Sequence, residues 1–211
     1  MGKIIYVHDK HIWDSGNTFG RHRKERPGRV VHLEYGADAK VTDILSDVTK
    51  AAGSDGIFLL VFNAHGNRGC IFIGEGIMPQ RYKYFKVLKP YFFKSRPKSL
   101  GIEIHSCYFA ASSLVSQGEN DTAGGSHTSA NFSSWGAMPV HQLAVVDRLS
   151  RDGQGHLCAA KLADITGVNV KGSYTAQLTD KLGRFEGKWI CARPKGKITV
   201  HPSSVAPAAI Q

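Results

Sequence analysis

One run constrains the fold more than any other: Gly56 to Asn63 (GIFLLVFN) is almost continuously apolar and then stops at Ala64-His65-Gly66. A short segment of that kind reads as a strand covered on both faces, the interior position of a parallel sheet. A second run, Ser99 to Ser106 (SLGIEIHS), leads straight into Cys107. Between and around them short apolar runs alternate with amphipathic stretches. That pattern predicts an α/β fold, a mostly parallel central sheet with helices on both faces, in a single three-layer αβα domain. The domain is expected over residues 1–202, followed by a flexible tail, 203–211. A chain of 211 residues suits one such domain with a sizeable core, and 42% hydrophobic with 21% charged residues excludes disordered and fibrous classes. The 23 glycines follow no period, which excludes collagen and solenoids.

Further strands are expected at Lys3–His8 (KIIYVH) and Val30–Tyr35 (VVHLEY), separated by a basic, glycine-bearing loop. Apolar residues at 41, 44, 45 and 48 predict a helix over Lys40–Ala52, closed by Gly53. After the central strand a hairpin should turn at Asn67-Arg68-Gly69 and return along Cys70–Ile73. Pro79–Phe93 predicts a helix that Pro90 should kink or end. Residues 112–139 form a long serine- and glycine-rich loop containing Trp135, and a loop of that length is expected to be functional or disordered. Helices over Val140–Leu149 and Gly155–Thr166, a strand over Val168–Tyr174, and closing segments at Gly183–Arg193 and Lys197–His201 complete the pattern.

Lysine and arginine number 27 against 17 acidic residues, a net charge of +10. The basic side chains gather at Arg21–Arg29 and Lys83–Lys98, which makes a polyanion a candidate partner. Zinc-finger, RNP and helix-turn-helix patterns are absent from the sequence. No run approaches the roughly 18 apolar residues of a membrane helix. The opening MGKIIYVHDKH has too short an apolar stretch for a secretory leader, so a cytoplasmic protein, or an effector exported without a leader, is expected. Oligomeric state is not encoded in any pattern. The four cysteines lack CxxC spacing and read as free thiols of a reducing compartment.

Chemistry concentrates at two strand ends. Ligands of open α/β sheets bind beyond the carboxyl ends of the strands, and there the two apolar runs deliver His65 and Cys107. A thiol is nucleophilic as thiolate, and a neighbouring imidazole lowers its pKa or takes its proton. Gly66 leaves its backbone N–H unshielded, so the Gly66 and Cys107 amides together are candidates for an oxyanion hole. Cys70, Cys158 and Cys191 sit within apolar segments and read as core. Glu103 and His105 alternate with Ile102 and Ile104 on a buried strand, where the carboxylate needs a partner: His105 or a basic residue.

An apolar strand ending in His-Gly, a hairpin and helix, and a second apolar strand ending in Ser-Cys resemble the caspase-like (clan CD) cysteine peptidases. These include caspases, legumains, gingipains, separases and the self-cleaving peptidase domains of bacterial toxins. LLVFNAHG aligns His65 with the family's dyad histidine, and GIEIHSCYFA aligns Cys107 with its nucleophile. LADITGVNVKGSY and RFEGKWICARPKGK are similar to later segments of the bacterial members, so the resemblance spans about residues 56–200. Ser106 stands where caspases carry the alanine of QAC. The resemblance implies a cysteine endopeptidase that needs no metal, with an inositol polyphosphate as candidate activator. It also implies a substrate pocket along VNVKGSY, with Ser106, Ser173, Tyr174 and Gln177 as candidate lining residues and Asp180 farther away. Two other classes remain open: a non-catalytic adaptor or polyanion-binding module, and a metal-dependent hydrolase using His8, His11 and His65, with Asp9 beside them.

Overall fold

The apolar run Ile57–Phe62 lies in the middle of the molecule because it offers water no polar side chain on either face. In the computed structural model, which describes residues 1–10, 28–95, 97–106, 109–111, 155–174 and 187–201, it forms strand β3 (Ile57–Asn63), buried at every position. Strands β1 (Lys3–Asp9) and β6 (Gly101–His105) flank it in parallel register. Outside these lie β2 (Val30–Tyr35) beyond β1, and β7 (Val170–Ser173), β8 (Trp189–Ala192) and β9 (Ile198–His201) beyond β6. The seven-stranded order is β2-β1-β3-β6-β7-β8-β9, parallel from β2 to β7 and antiparallel at β8 and β9. A separate two-stranded hairpin, β4 (His65–Asn67) and β5 (Cys70–Phe72), follows β3 at once.

The strands alternate their side chains between two faces. One face presents Ile5, Val7, Leu60, Phe62, Ile102, Ile104, Val170 and Ile190 to the helical layer. The other carries a smaller cluster of Ile4, Tyr6, Phe58, Leu59 and Val61. All described helices pack on the first face. The helix expected on residues 140–149, the 112–139 loop, the 203–211 tail and the basic loop before β2 lie outside the described residues.

Helix α1 (Val41–Ala52) buries Val41, Ile44, Leu45, Val48 and Ala52 and ends at Gly53, whose φ of 51° only glycine adopts readily. Lys40 offers its first turn no side-chain cap; Glu75 does so instead, its carboxylate accepting from the Val41 amide at 3.0 Å. Helix α3 (Gly155–Thr166) covers β7 and β8 through Ala159, Leu162 and Ala163.

Pro79–Phe93 departs from expectation in kind. Residues Pro79–Leu88 form a 3-10 helix, and α2 (Lys89–Lys94) takes over with Pro90 in its first turn, where the missing N–H costs nothing. Pro90 therefore starts a helix where it was expected to end one. Ten residues of 3-10 helix are unusual, and its buried residues, Tyr82, Phe85 and Leu88, recur at the three-residue period of that helix. Every third residue eclipses in a 3-10 helix, so these three make one straight buried stripe. An α-helix would fan them apart by about 60° per step. Phe85 meets Phe62 of β3 at a ring separation of 5.8 Å.

Two substitutions separate these geometries. Phe85→Ala should lower unfolding free energy by about 3–5 kcal/mol in urea titration. Lys86→Ala, at a position that α-helical spacing would draw toward the core, should change it by less than about 0.5 kcal/mol. Equal losses would contradict the three-residue stripe.

Candidate active site

The parallel registers bring four strand ends into line. His8 of β1 lies opposite Asn63 of β3, Asn63 lies opposite His105 of β6, and Ser173 ends β7 one residue beyond the Ile104–Gly172 pair. Buried polar side chains collect there: His8, Asp9, Asn63, His105, Ser106 and Ser173, with Glu103 two residues back. Among the described residues the only other buried polar side chains are Ser95 and Thr166. Burying polar groups is costly unless they are partnered, so their concentration at the carboxyl edge makes it the candidate site of this fold.

His65 opens β4, half-buried, just beyond that edge. Its neighbour Gly66 explains how the hairpin sits. A Cβ at residue 66 would come within 2.5 Å of the Ser106 Cβ and 2.6 Å of the Cys70 carbonyl oxygen. The backbone beside His65 is thus pressed against the residue that precedes Cys107. Ile71, the cross-strand partner of Gly66, exchanges both its backbone groups with Ile77, at 3.1 and 2.8 Å. The Gly66 N–H is therefore not consumed by the ladder.

Cys107 itself, with Tyr108, lies outside the described residues, as do Gln177, Asp180 and His11. Ser106 before the Cys107–Tyr108 pair and Phe109 and Ala110 after it are tightly held. The Ser106 carbonyl accepts from the Phe109 amide at 3.4 Å and from the Ser173 hydroxyl. The Phe109 carbonyl accepts from the Gly69 amide of the hairpin turn at 2.8 Å, and the Ala110 amide donates to Ser173 at 2.8 Å. The Tyr82 hydroxyl donates to the Gly69 carbonyl, tying the 3-10 helix to the same turn. Gly172 completes the seat, since a Cβ there would stand 2.6 Å from the Phe109 ring.

Of the expected pocket residues, Ser106 and Ser173 are fully buried and joined to each other, and Tyr174 is almost buried. The Ser106 hydroxyl has no hydrogen-bond partner among the described residues and lies against Gly66.

Behind the edge runs an ionic network. The Glu103 carboxylate accepts from Lys171 Nζ at 2.8 Å and from His105 Nε2 at 3.3 Å. Sequence reasoning foresaw His105 and left the basic partner open; the Glu103–Lys171 register of β6 and β7 supplies it. Burial acts to raise the Glu103 pKa, but the His105 hydrogen bond and the Lys171 charge outweigh it and hold the carboxyl below its ordinary value. Asn63 was missed altogether: its side-chain amide meets His8 Nδ1 at 3.0 Å. The only sequence signal for it is a polar residue closing an otherwise apolar strand. Among the described residues no group of three histidine, cysteine or acidic side chains is placed to hold a metal ion.

The remaining thiols are disarmed by burial, which pushes Cys70 up to about 12 and Cys158 up to about 11, and raises Cys191 as well. No family model, no curated protein and no solved structure matches this chain.

Two outcomes follow from this geometry. Gly66→Ala should destabilise the protein by about 1–3 kcal/mol, because both opposing contacts are backbone or the stem of a short side chain and cannot yield. An unchanged melting temperature would show that the hairpin does not rest on Ser106. Glu103, with its folded pKa depressed, contributes stability present above its unfolded value near 4.5 and lost as pH falls through the lower folded value. Glu103→Ala should cost about 3–5 kcal/mol at neutral pH by taking the shared carboxylate from Lys171 and His105, and Glu103→Leu combined with Lys171→Met should recover the part due to Lys171. Equal stabilities for the single and double variants would refute the pairing.

Proposed function

We propose that the chain is a cysteine endopeptidase of caspase-like fold, acting through His65 and Cys107. The observation that carries this reading is the contact of Gly66 with Ser106, which brings the residues next to the histidine and next to the cysteine together at the sheet's carboxyl edge. Burial raises the thiol pKa values of Cys70, Cys158 and Cys191, which speaks against any of those three as the nucleophile.

In this reading the His65 imidazole takes the proton of the Cys107 thiol, and the thiolate attacks the carbonyl carbon of a peptide bond. Negative charge develops on the carbonyl oxygen, and the amides of Gly66 and Cys107 donate to it. Collapse of the tetrahedral intermediate breaks the C–N bond. The imidazolium returns its proton to the departing amine and leaves a thioester on Cys107. Water, deprotonated by the same imidazole, then releases the acid and restores the thiol. The held conformation of Ser106, Phe109 and Ser173 serves preorganisation, since a misplaced nucleophile loses orders of magnitude in rate.

The test is intact and peptide mass spectrometry after exposure to a thiol-directed peptidyl electrophile near neutral pH. One adduct is expected on Cys107, abolished or slowed at least about a hundredfold in His65→Ala. Cys70, Cys158 and Cys191 should stay unmodified in the folded protein. Uniform labelling of all four, or unaltered Cys107 labelling in the His65 variant, would overturn the reading.

A further inference from the structure

The 3-10 helix buries one of its three stripes and leaves two open. Because every third residue eclipses, Lys83, Lys86 and Lys89 form a straight row, all exposed. Tyr84, Val87 and Pro90 form a parallel row, and Phe93 follows in α2, where the α-helical step turns it toward Lys89; the exposures are 39% for Tyr84, 52% for Val87 and 60% for Phe93. Among the described residues large hydrophobic side chains are exposed elsewhere only singly, at Met1, Leu157 and Val200. Three on one short helical surface is a patch, and such patches on folded proteins mark contact sites.

Charge identifies the partner's sign. From Pro79 to Lys98 there are seven lysines and arginines and no acidic residue. Arg81 is engaged by Glu75 at 3.2 Å, while Lys83 and Lys94 lean over the Tyr84 and Tyr91 rings at 5.3 and 5.0 Å. The cations thus flank the apolar surface, Lys83 lying along Tyr84 and Lys94 along the half-buried Tyr91 beside it.

We propose that this face docks the protein on an anionic lipid bilayer, with Tyr84, Val87, Pro90 and Phe93 entering the interface and the lysine row meeting the headgroups. Aliphatic Val87 and Pro90 stand in the middle of that surface. They gain free energy on entering acyl chains, and they offer nothing to a stacked nucleobase. Lysine suits the task as well: its stem lies on apolar surface while the ammonium reaches the polar layer. The helix is anchored to the core by the buried Tyr82, Phe85 and Leu88, so its exposed side can meet a bilayer without giving up its core contacts. This docking is independent of peptidase activity.

The experiment is co-sedimentation of the full chain with vesicles of phosphatidylcholine, with and without a minority of phosphatidylserine, at near-physiological salt. Binding is expected to the phosphatidylserine vesicles only. Replacing Lys83, Lys86 and Lys89 together by glutamine should weaken it on the order of a hundredfold. Val87→Ser with Phe93→Ser should weaken it on the order of tenfold or more while leaving the thermal unfolding curve in place. Lys195→Gln with Lys197→Gln, in the exposed turn between β8 and β9, should bind like the parent. The proposal is overturned if the parent does not sediment, if neutral vesicles bind equally, or if the Lys195/Lys197 pair accounts for the binding. It is equally overturned if the Val87/Phe93 pair binds undiminished and single-stranded RNA displaces the protein, since the face would then serve a nucleic acid.

Discussion

The approach of the β4–β5 hairpin to the end of β6 depends on an absent methyl group. Residue 66 has no Cβ, so its backbone can lie on Ser106 and on the Cys70 carbonyl at distances that no other residue would allow. The hairpin's turn then reaches Phe109, and the Phe109 ring in turn fills the space that Gly172 leaves open. Two glycines on different strands therefore set how the residues around Cys107 are seated. This is a steric constraint, and it acts before any charge or hydrogen bond is considered.

The two faces of the sheet divide the work. The helix-facing side is apolar from β1 to β8 and provides the burial that stabilises the domain. The opposite side carries Glu103, His105 and Lys171 beside its smaller apolar cluster. A buried ion pair contributes little net stability, because desolvation offsets much of the attraction. Its constraint lies in register: the pairing of Glu103 with Lys171 is satisfied only when β6 and β7 align as they do. That alignment also puts Ser173 within reach of the Ser106 carbonyl.

Most of the sheet was legible because periodicity and turn chemistry are local. The apolar runs at β3 and β6, the Asn67-Arg68-Gly69 turn and the Gly53 stop appear within a residue or two of where they were expected. The 3-10 helix was not legible as such. Its three-residue spacing was visible in Tyr82, Phe85 and Leu88, but an amphipathic stretch defaults to the α-helix, and only packing against Phe62 shows which period governs. Asn63 was missed for a related reason. Its partner is His8, fifty-five positions away, and long-range pairing leaves no trace in the flanking residues.

The sequence by itself determined the alternation of buried strands and amphipathic helices, the order His65 before Cys107, and the concentration of lysines after Pro79. These follow from side-chain chemistry read along one dimension, where hydrophobic spacing selects local structure. Tertiary structure alone decided that Gly66 rests on Ser106, that Lys171 is the cation beside Glu103, and that Glu75 caps α1. Each of those contacts joins segments more than thirty residues apart, and each depends on strand order and register. Such choices arise when a chain closes its core, because the free energy of burial depends on the whole packing and no local pattern encodes it.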